Sequence, residues 1–262
     1  MKEKIEVNLP KCNLFDFHRH ISSNTDKFDQ NIKKFKIDKF CLMPTIFNND
    51  FQNVDNYIKS IKPYFEKYKT RSIIFGFLDF TMNIDRNMTL LEKQKVKLDI
   101  SGIKIHPQQK FKLKKEFLKP YFNLIAELFG TDFPIYIHMD WPLREKEGFA
   151  PRGKKNTFNK FPSYFPDFTF IMGHAGGSGD YLKIWKTCKK YPNIYIETSM
   201  APTTSTLEEV IWKIGPERLL FGSNYPFCGT DVELMRIQAL HNVTDHQKKL
   251  ILAKNWKEVL KL

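Results

Sequence analysis

Eight short apolar segments recur along the chain about 24 to 35 residues apart, and this spacing constrains the fold more than any other feature. They cover residues 13–18, 40–44, 72–80, 102–106, 135–138, 169–174, 194–198 and 219–224, and each is rich in β-branched or aromatic residues. Segments with helical spacing lie between them, at 54–68, 85–98, 116–129, 180–191, 207–214 and 231–240. In the third of these, Phe117, Leu118, Tyr121, Leu124, Ile125 and Leu128 form a single apolar stripe. A last helix at 245–260 follows Thr244 as its N-cap. Eight strands alternating with about eight helices in 262 residues predict an α/β chain folded as one (β/α)8 TIM barrel over residues 1–262, with a C-terminal helix. The rival is a doubly wound sheet, which places a glycine-rich phosphate turn after its first strand. Here that strand ends in His18-Arg19-His20. The bunched glycines, Gly173, Gly176, Gly177 and Gly179, follow the sixth strand and read as a tight βα turn. Residues 141–166, punctuated by Pro142, Gly148, Pro151, Gly153 and Pro162, read as an irregular loop over the barrel mouth.

Charge and cysteine usage narrow the partners. A net charge of +13 invites nucleic acid, but only seven of the 42 basic residues are arginine and the lysines are spread in short pairs along the chain. A solvated basic surface is expected, with no specific nucleic-acid partner. No apolar run approaches the roughly 18 residues that span a bilayer, so no membrane partner is expected. The N-terminal stretch lacks the apolar core of a secretory signal, which points to the cytoplasm. Cys12, Cys41, Cys188 and Cys228 are scattered with no metal-knuckle spacing and read as reduced thiols.

Histidine carries the chemistry. Five of the seven, His18, His20, His106, His138 and His174, stand at or just after the C-terminal end of a strand, the rim where barrels build their active sites. His18 and His20 are two apart, so both side chains leave the strand on one side and can reach one metal. His138 ends an otherwise apolar strand across the barrel. Three converging imidazoles suit Zn2+ or another first-row divalent ion rather than Mg2+ or Ca2+. His174 can be a fourth ligand, a base with a pKa suited to proton transfer, or an anchor for the glycine turn.

Asp16-Phe-His18-Arg-His20, His138, Gly173-His174-Ala-Gly-Gly and Leu220-Phe-Gly222-Ser223-Asn224-Tyr-Pro226-Phe together resemble the amidohydrolase superfamily. The nearest branch is the amidohydrolase-2 group, which includes aminocarboxymuconate-semialdehyde decarboxylase-like enzymes. The resemblance spans the chain from Asp16 to about Leu262. It implies a distorted barrel with one catalytic divalent metal, with His18, His20 and His138 as ligands and His174 as the catalytic histidine. It also exposes a departure: the residue after Gly222-Ser223 is usually Asp in this group, and here it is Asn224, which brings no negative charge and cannot accept a proton as a carboxylate does. Either His174 alone supplies the base, or catalysis has been lost, or Asn224 was introduced to trap a bound species. Asp140 and Asp231 are substitute carboxylates to consider.

Lys104 and His106 share one side of the fourth strand. They form either a positive wall for an anionic substrate or, for Lys104, a buried ion pair with Glu197 or Asp79. Arg19 should point away from the ligands into structural contacts. Trp141, Arg144 and Arg152 on the long loop, with Tyr225 and Phe227 after Asn224, either bind a small planar carboxylate or pack the loop onto the barrel. Lys104, His106, Trp141, Arg152 and Tyr225 are therefore the substrate-binding candidates, and His174 and Asn224 the catalytic ones. The expected activity is metal-dependent hydrolysis of a small organic acid derivative, an amide, lactone or related ring, through a metal-activated water. Non-oxidative decarboxylation of a small carboxylate on the same site, and binding without turnover, are the alternatives. A homodimer is left open.

Overall fold

The computed structural model describes residues 9–22, 24–45, 50, 53–106, 112–139, 160–177 and 184–261. Eight strands form one parallel sheet in sequential order: β1 Leu14–Arg19, β2 Ile37–Leu42, β3 Ser72–Phe77, β4 Gly102–Ile105, β5 Ile135–Ile137, β6 Phe170–Met172, β7 Ile194–Glu197 and β8 Leu219–Leu220. Although β8 is short, the chain beyond it keeps bonding to β1: Phe17 N to Phe221 O (2.8 Å), Asn224 N to His18 O (2.7 Å) and His20 N to Tyr225 O (2.8 Å). These bonds bring the last strand back to the first, as a (β/α)8 TIM barrel requires.

The helices are α1 Thr25–Lys34, α2 Val54–Lys67, α3 Ile84–Leu98, α4 Lys115–Phe129, α5 Lys160–Tyr164, α6 Ile184–Lys190, α7 Thr204–Ile214, α8 Thr230–Gln238, α9 Asp245–Lys249 and α10 Asn255–Leu260. Five of these begin where a short polar side chain caps the free backbone N–H groups: Asn24, Asn53, Asn83, Thr203 and Thr244 each accept from the first turn. Two helices depart from the sequence reading. The periodicity of α1 is thin because only Phe28 and Ile32 are buried. The single turn α5 falls within the stretch expected to be irregular, its Pro162 tolerated because the first turn has no N–H bond to lose. The last predicted helix is also broken by a π-turn at Leu250–Lys254, where Ile251 O accepts Phe221 N (3.1 Å) and ties the C-terminal segment to the barrel.

Alternation divides the core into two layers. Outward residues such as Phe40, Ile103, Ile135, Phe170 and Ile196 pack against the helices. Inward residues Phe15, Phe17, Cys41, Phe75, Tyr136, Ile171 and Leu220 fill the barrel and meet Trp256 and Val259 of α10, which plugs its base. The Phe15 and Trp256 rings stack at 4.2 Å. Because Phe15 and Phe17 both point inward, His18 would face outward in a regular strand. Register shifts between Asp16 and Arg19, where three steps along β1 match two along β2, and this bulge turns His18 back into the barrel.

Candidate active site

Above the apolar filling, the inward positions of the strands turn polar. β1 carries His18 with His20 just past its end, β4 Lys104 with His106 just past it, β5 Tyr136 with His138 just past it and β7 Glu197 with Ser199 two residues on, while His174 follows β6. Lys104, Tyr136, Glu197, Ser199 and the histidines other than His138 are buried, and His138 is half-buried. Room for this cluster comes from two glycines. A Cβ on Gly173 would lie 2.2 Å from the Tyr136 hydroxyl, and one on Gly222 would lie 2.2 Å from Glu197 Oε1 and 2.8 Å from His18 Cβ. His174, Ala175, Met200 and Asn224 leave their strands with φ between 51° and 55°, a left-handed conformation uncommon outside glycine and typical of functional rims.

Glu197 is the hub. It accepts from His18 Nδ1 (3.0 Å), the Tyr136 hydroxyl (2.9 Å), the Ser199 hydroxyl (2.9 Å), His174 N (3.3 Å) and Ser199 N. His18 Nε2 points the other way and lies 3.1 Å from His20 Nε2 and 3.2 Å from Lys104 Nζ. His20 Nδ1 is held by Met43 O at 2.8 Å. Across the mouth, His174 Nδ1 is 2.9 Å from Ser199 Oγ and His174 Nε2 is 3.2 Å from His138 Nδ1. The His106 and His138 rings lie 4.2 Å apart.

Burial is the largest influence on every one of these imidazoles. It pushes His18, His20, His106 and His138 well below the usual histidine pKa, helped by the Lys104 charge and by one another. His174 falls to about 4, with Glu197 opposing the shift. Burial also brings Lys104 down to about 7, against the pull of Glu197 and Asp50. The site is thus a set of neutral imidazoles, the form in which histidine binds metal.

Donor chemistry provides a test of fit for a metal. A backbone carbonyl and a carboxylate only accept, so His20 Nδ1 beside Met43 O and His18 Nδ1 beside Glu197 both carry hydrogen. Both Nε2 atoms then turn their lone pairs toward the same space, 3.1 Å apart, an arrangement that calls for a cation beside them; Lys104 Nζ, 3.2 Å from His18 Nε2, supplies one such charge. Nitrogens bound at about 2.0–2.1 Å to one tetrahedral ion stand roughly 3.3 Å apart, so the pair fits a shared metal. Among the described residues, His18, His174 and Glu197 bring potential ligand atoms within 4.8 Å of one another, a set that shares only His18 with the predicted ligands His18, His20 and His138. The Glu197 oxygens in that group are already taken by hydrogen bonds, which makes the carboxylate an outer support for ligands rather than an open ligand position.

The other predicted residues divide. Asn224 lies at the rim, but its Nδ2 donates to Met200 Sδ (3.0 Å), and Met200 N is in turn held by Glu233. Tyr225 faces away from the histidines and covers the Arg19 guanidinium at 4.6 Å. Phe227 is the aromatic that meets the site, edge-on to His20 at 5.2 Å. Arg19 behaves as expected, donating to Asp16 and Asn31 at 2.8 Å. Asp231 lies outside the cluster, 3.9 Å from Lys34 on the surface. Asp79 accepts from Thr81 and makes no ion pair with Lys104. Trp141, Arg144, Arg152 and Asp140 lie outside the described residues. Sequence reasoning missed Tyr136 and Ser199 and treated Glu197 only as a partner for Lys104. Glu197 does have a signal, since Ile-Tyr-Ile-Glu ends an apolar strand in a charge just as Ile-Tyr-Ile-His does.

This is a parallel barrel with an imidazole-lined, metal-compatible rim. The chain belongs to the amidohydrolase family, in its amidohydrolase-2 group, whose model matches residues 67–262. The match begins after β2, so it is the fold that brings His18 and His20 to the site. No curated protein matches the chain in sequence. Among solved structures, 2,6-dihydroxybenzoate decarboxylase from Rhizobium is 16% identical, with 95% of this chain and 98% of that one covered at a TM-score of 0.71. The 5-carboxyvanillate decarboxylase of Sphingomonas paucimobilis is 12% identical, with 95% and 99% covered at 0.71. A dihydroxybenzoic acid decarboxylase from Polaromonas, solved with manganese and the inhibitor 2-nitroresorcinol, is 16% identical, with 95% and 97% covered at 0.69. No helix among the described residues is long and apolar enough to cross a membrane.

Proposed function

We propose that the chain is a metal-dependent enzyme that removes a carboxyl group from a small organic acid as CO2, without oxidation. The observation that carries this reading is the placement of Asn224 and Glu197. Hydrolysis needs a base to take a proton from water, and the two positions best placed for a carboxylate base are closed to that role. Glu197 is engaged by hydrogen-bond donors from four residues, and Asn224 is an amide turned toward Met200. Decarboxylation instead asks for a cation to bind the acid and a proton to replace CO2.

His18, His20 and His138 are the residues that would hold the ion, and imidazole donors suit Zn2+ or a similar first-row metal. When bound, such an ion supplies Lewis-acid polarisation of a substrate oxygen. Lys104 and His106 form the wall beside it. The Lys104 ammonium attracts the carboxylate, and with a pKa brought to about 7 it holds at Nζ a proton that can be given up near neutral pH. The burial of these groups excludes water from the reacting carbon. Decarboxylases among the relatives with this fold support the reading at the level of the family.

Hydrolysis of an amide, lactone or related ring is the second reading, favoured by His174, whose imidazole is kept neutral and so can take a proton. Incubating protein loaded with Zn2+ or Mn2+ with a panel of small hydroxybenzoates, aliphatic carboxylates and small amides and lactones in 18O-labelled water separates the two. Release of CO2 with no label in the product is the expected result, and label without CO2 would overturn it.

A further inference from the structure

We infer that Ser199 and Glu197 are positioning residues that fix where hydrogen sits on His18, His174 and His138, so that a serine outside the ligand set determines which nitrogen His138 offers. The inference deepens the metal-dependent reading and rests on it only for the use to which the nitrogens are put.

The chain of bonds has one self-consistent direction. Glu197 Oε2 lies 2.9 Å from Ser199 Oγ and has no hydrogen to give, so the single hydroxyl hydrogen of Ser199 points at the carboxylate. Toward His174, 2.9 Å away, Ser199 Oγ can then only accept, which places the hydrogen of His174 on Nδ1. His174 Nε2 is left with its lone pair directed at His138 Nδ1, 3.2 Å away. That nitrogen must carry the hydrogen of His138, and Nε2 becomes the lone-pair nitrogen of His138. A second branch from the same carboxylate oxygen runs to His18 Nδ1 at 3.0 Å and leaves Nε2 as the lone-pair nitrogen there. The Tyr136 hydroxyl, 2.9 Å from Glu197 and 2.8 Å from His18 Nδ1, gives its hydrogen to the carboxylate and adds no competing proton to His18.

One buried carboxylate on β7 therefore orders hydrogens on β1, β5 and β6, and Ser199 is the link to two of these three imidazoles. The wiring also assigns His174 a task beyond proton transfer, because its Nε2 lone pair is what orients His138. Removing the Ser199 hydroxyl unties His174 and His138 but leaves the branch to His18 in place. Outer partners of metal-binding histidines commonly account for ten- to hundredfold in metal affinity.

The test reads tautomers directly, by long-range proton–nitrogen NMR correlation of the 15N-histidine-labelled, metal-free protein. His18, His20, His138 and His174 are all expected to carry hydrogen on Nδ1. Ser199→Ala should convert His174 and His138 to mixed tautomers, leave His18 unchanged and weaken Zn2+ binding about ten- to hundredfold by chelator competition. Ser199→Thr should restore both readouts. Hydrogen on Nε2 of His174 or His138 in the parent, or tautomers unmoved by Ser199→Ala, would overturn the inference. If the tautomers are as assigned but the parent takes up neither Zn2+ nor Mn2+, the wiring stands and the proposed function fails.

Discussion

Gly222→Ala offers a steric test of the site with no backbone penalty mixed in, because Gly222 does not lie in the left-handed region. The added methyl would stand 2.2 Å from Glu197 Oε1, 2.7 Å from its Cδ and 2.8 Å from His18 Cβ, whereas ordinary contact begins at 3.4 Å. The carboxylate must retreat by roughly 1 Å and β1 by somewhat less. A retreat of that size stretches bonds of 2.9 to 3.0 Å beyond useful range. Overpacking costs about 1–3 kcal/mol, and each hydrogen bond lost from a charged group about 1.5–3. With one such bond lost, the expected destabilisation is about 4 kcal/mol. For a chain of this size that lowers Tm by roughly 8–16 °C. Thermal unfolding of Gly222→Ala and Glu197→Ala, singly and together, measures it. Deleting the Glu197 carboxylate clears two of the three contacts, so the methyl should cost at least about 1 kcal/mol less in that background. A Gly222→Ala protein within about 2 °C of the parent, or one penalised equally in both backgrounds, would refute the steric account.

The metal-free protein should lose stability as pH falls from 6.5 toward 4. An unfolded imidazole takes its proton near 6.5 while buried His174 resists to about 4, so in that window the unfolded state binds more protons. His174 alone contributes roughly 3 kcal/mol to this trend, and urea midpoints that stay flat between these pH values would contradict it. Arg19→Met strands the buried Asp16 carboxylate and should cost about 3–5 kcal/mol by urea unfolding. Asp16→Asn in the same chain should recover part of that loss, and a single-variant cost below about 1 kcal/mol would show the ion pair to be incidental. Asn224→Asp should tighten Zn2+ binding on the order of tenfold, read by chelator competition. Equal affinities would mean that the β8 rim takes no part in holding the ion.

Much of the architecture was legible because it rests on periodicity. The eight strands and most helices follow from alternation and 3.6-residue stripes, and Thr244 was identified as a cap from sequence alone. Elements whose pattern is weak were missed, α1 with two buried residues and α5 with a single turn. At the site, histidines at strand ends were readable because a polar residue closing an apolar strand is conspicuous. The side that His18 faces was not readable from Phe15 and Phe17, since the bulge in β1 reverses the phase. Tyr136 and Ser199 were hidden for another reason: a tyrosine in Ile-Tyr-Ile and a serine after a strand are ordinary residues there. Their importance comes from Glu197, which lies 61 residues from one and two from the other in sequence.

The positions that hold the site together are separate from the β8 rim that carries Asn224. Tyr136 and Glu197 are large inward residues on β5 and β7, and they fit because Gly173 on β6 and Gly222 on β8 contribute no side chain. Such large and small partners from neighbouring strands have to change together, and the hydrogen-bond wiring from Glu197 makes any one change expensive. Asn224 stands outside that wiring. Its backbone N–H binds His18 O whatever side chain it carries, and its amide contacts only the Met200 thioether among the bonds described. Exchange of Asn for Asp there alters charge at the rim without moving Glu197, Ser199 or the imidazoles they orient. A barrel built this way can gain or lose a rim carboxylate while its metal-compatible histidines stay in register.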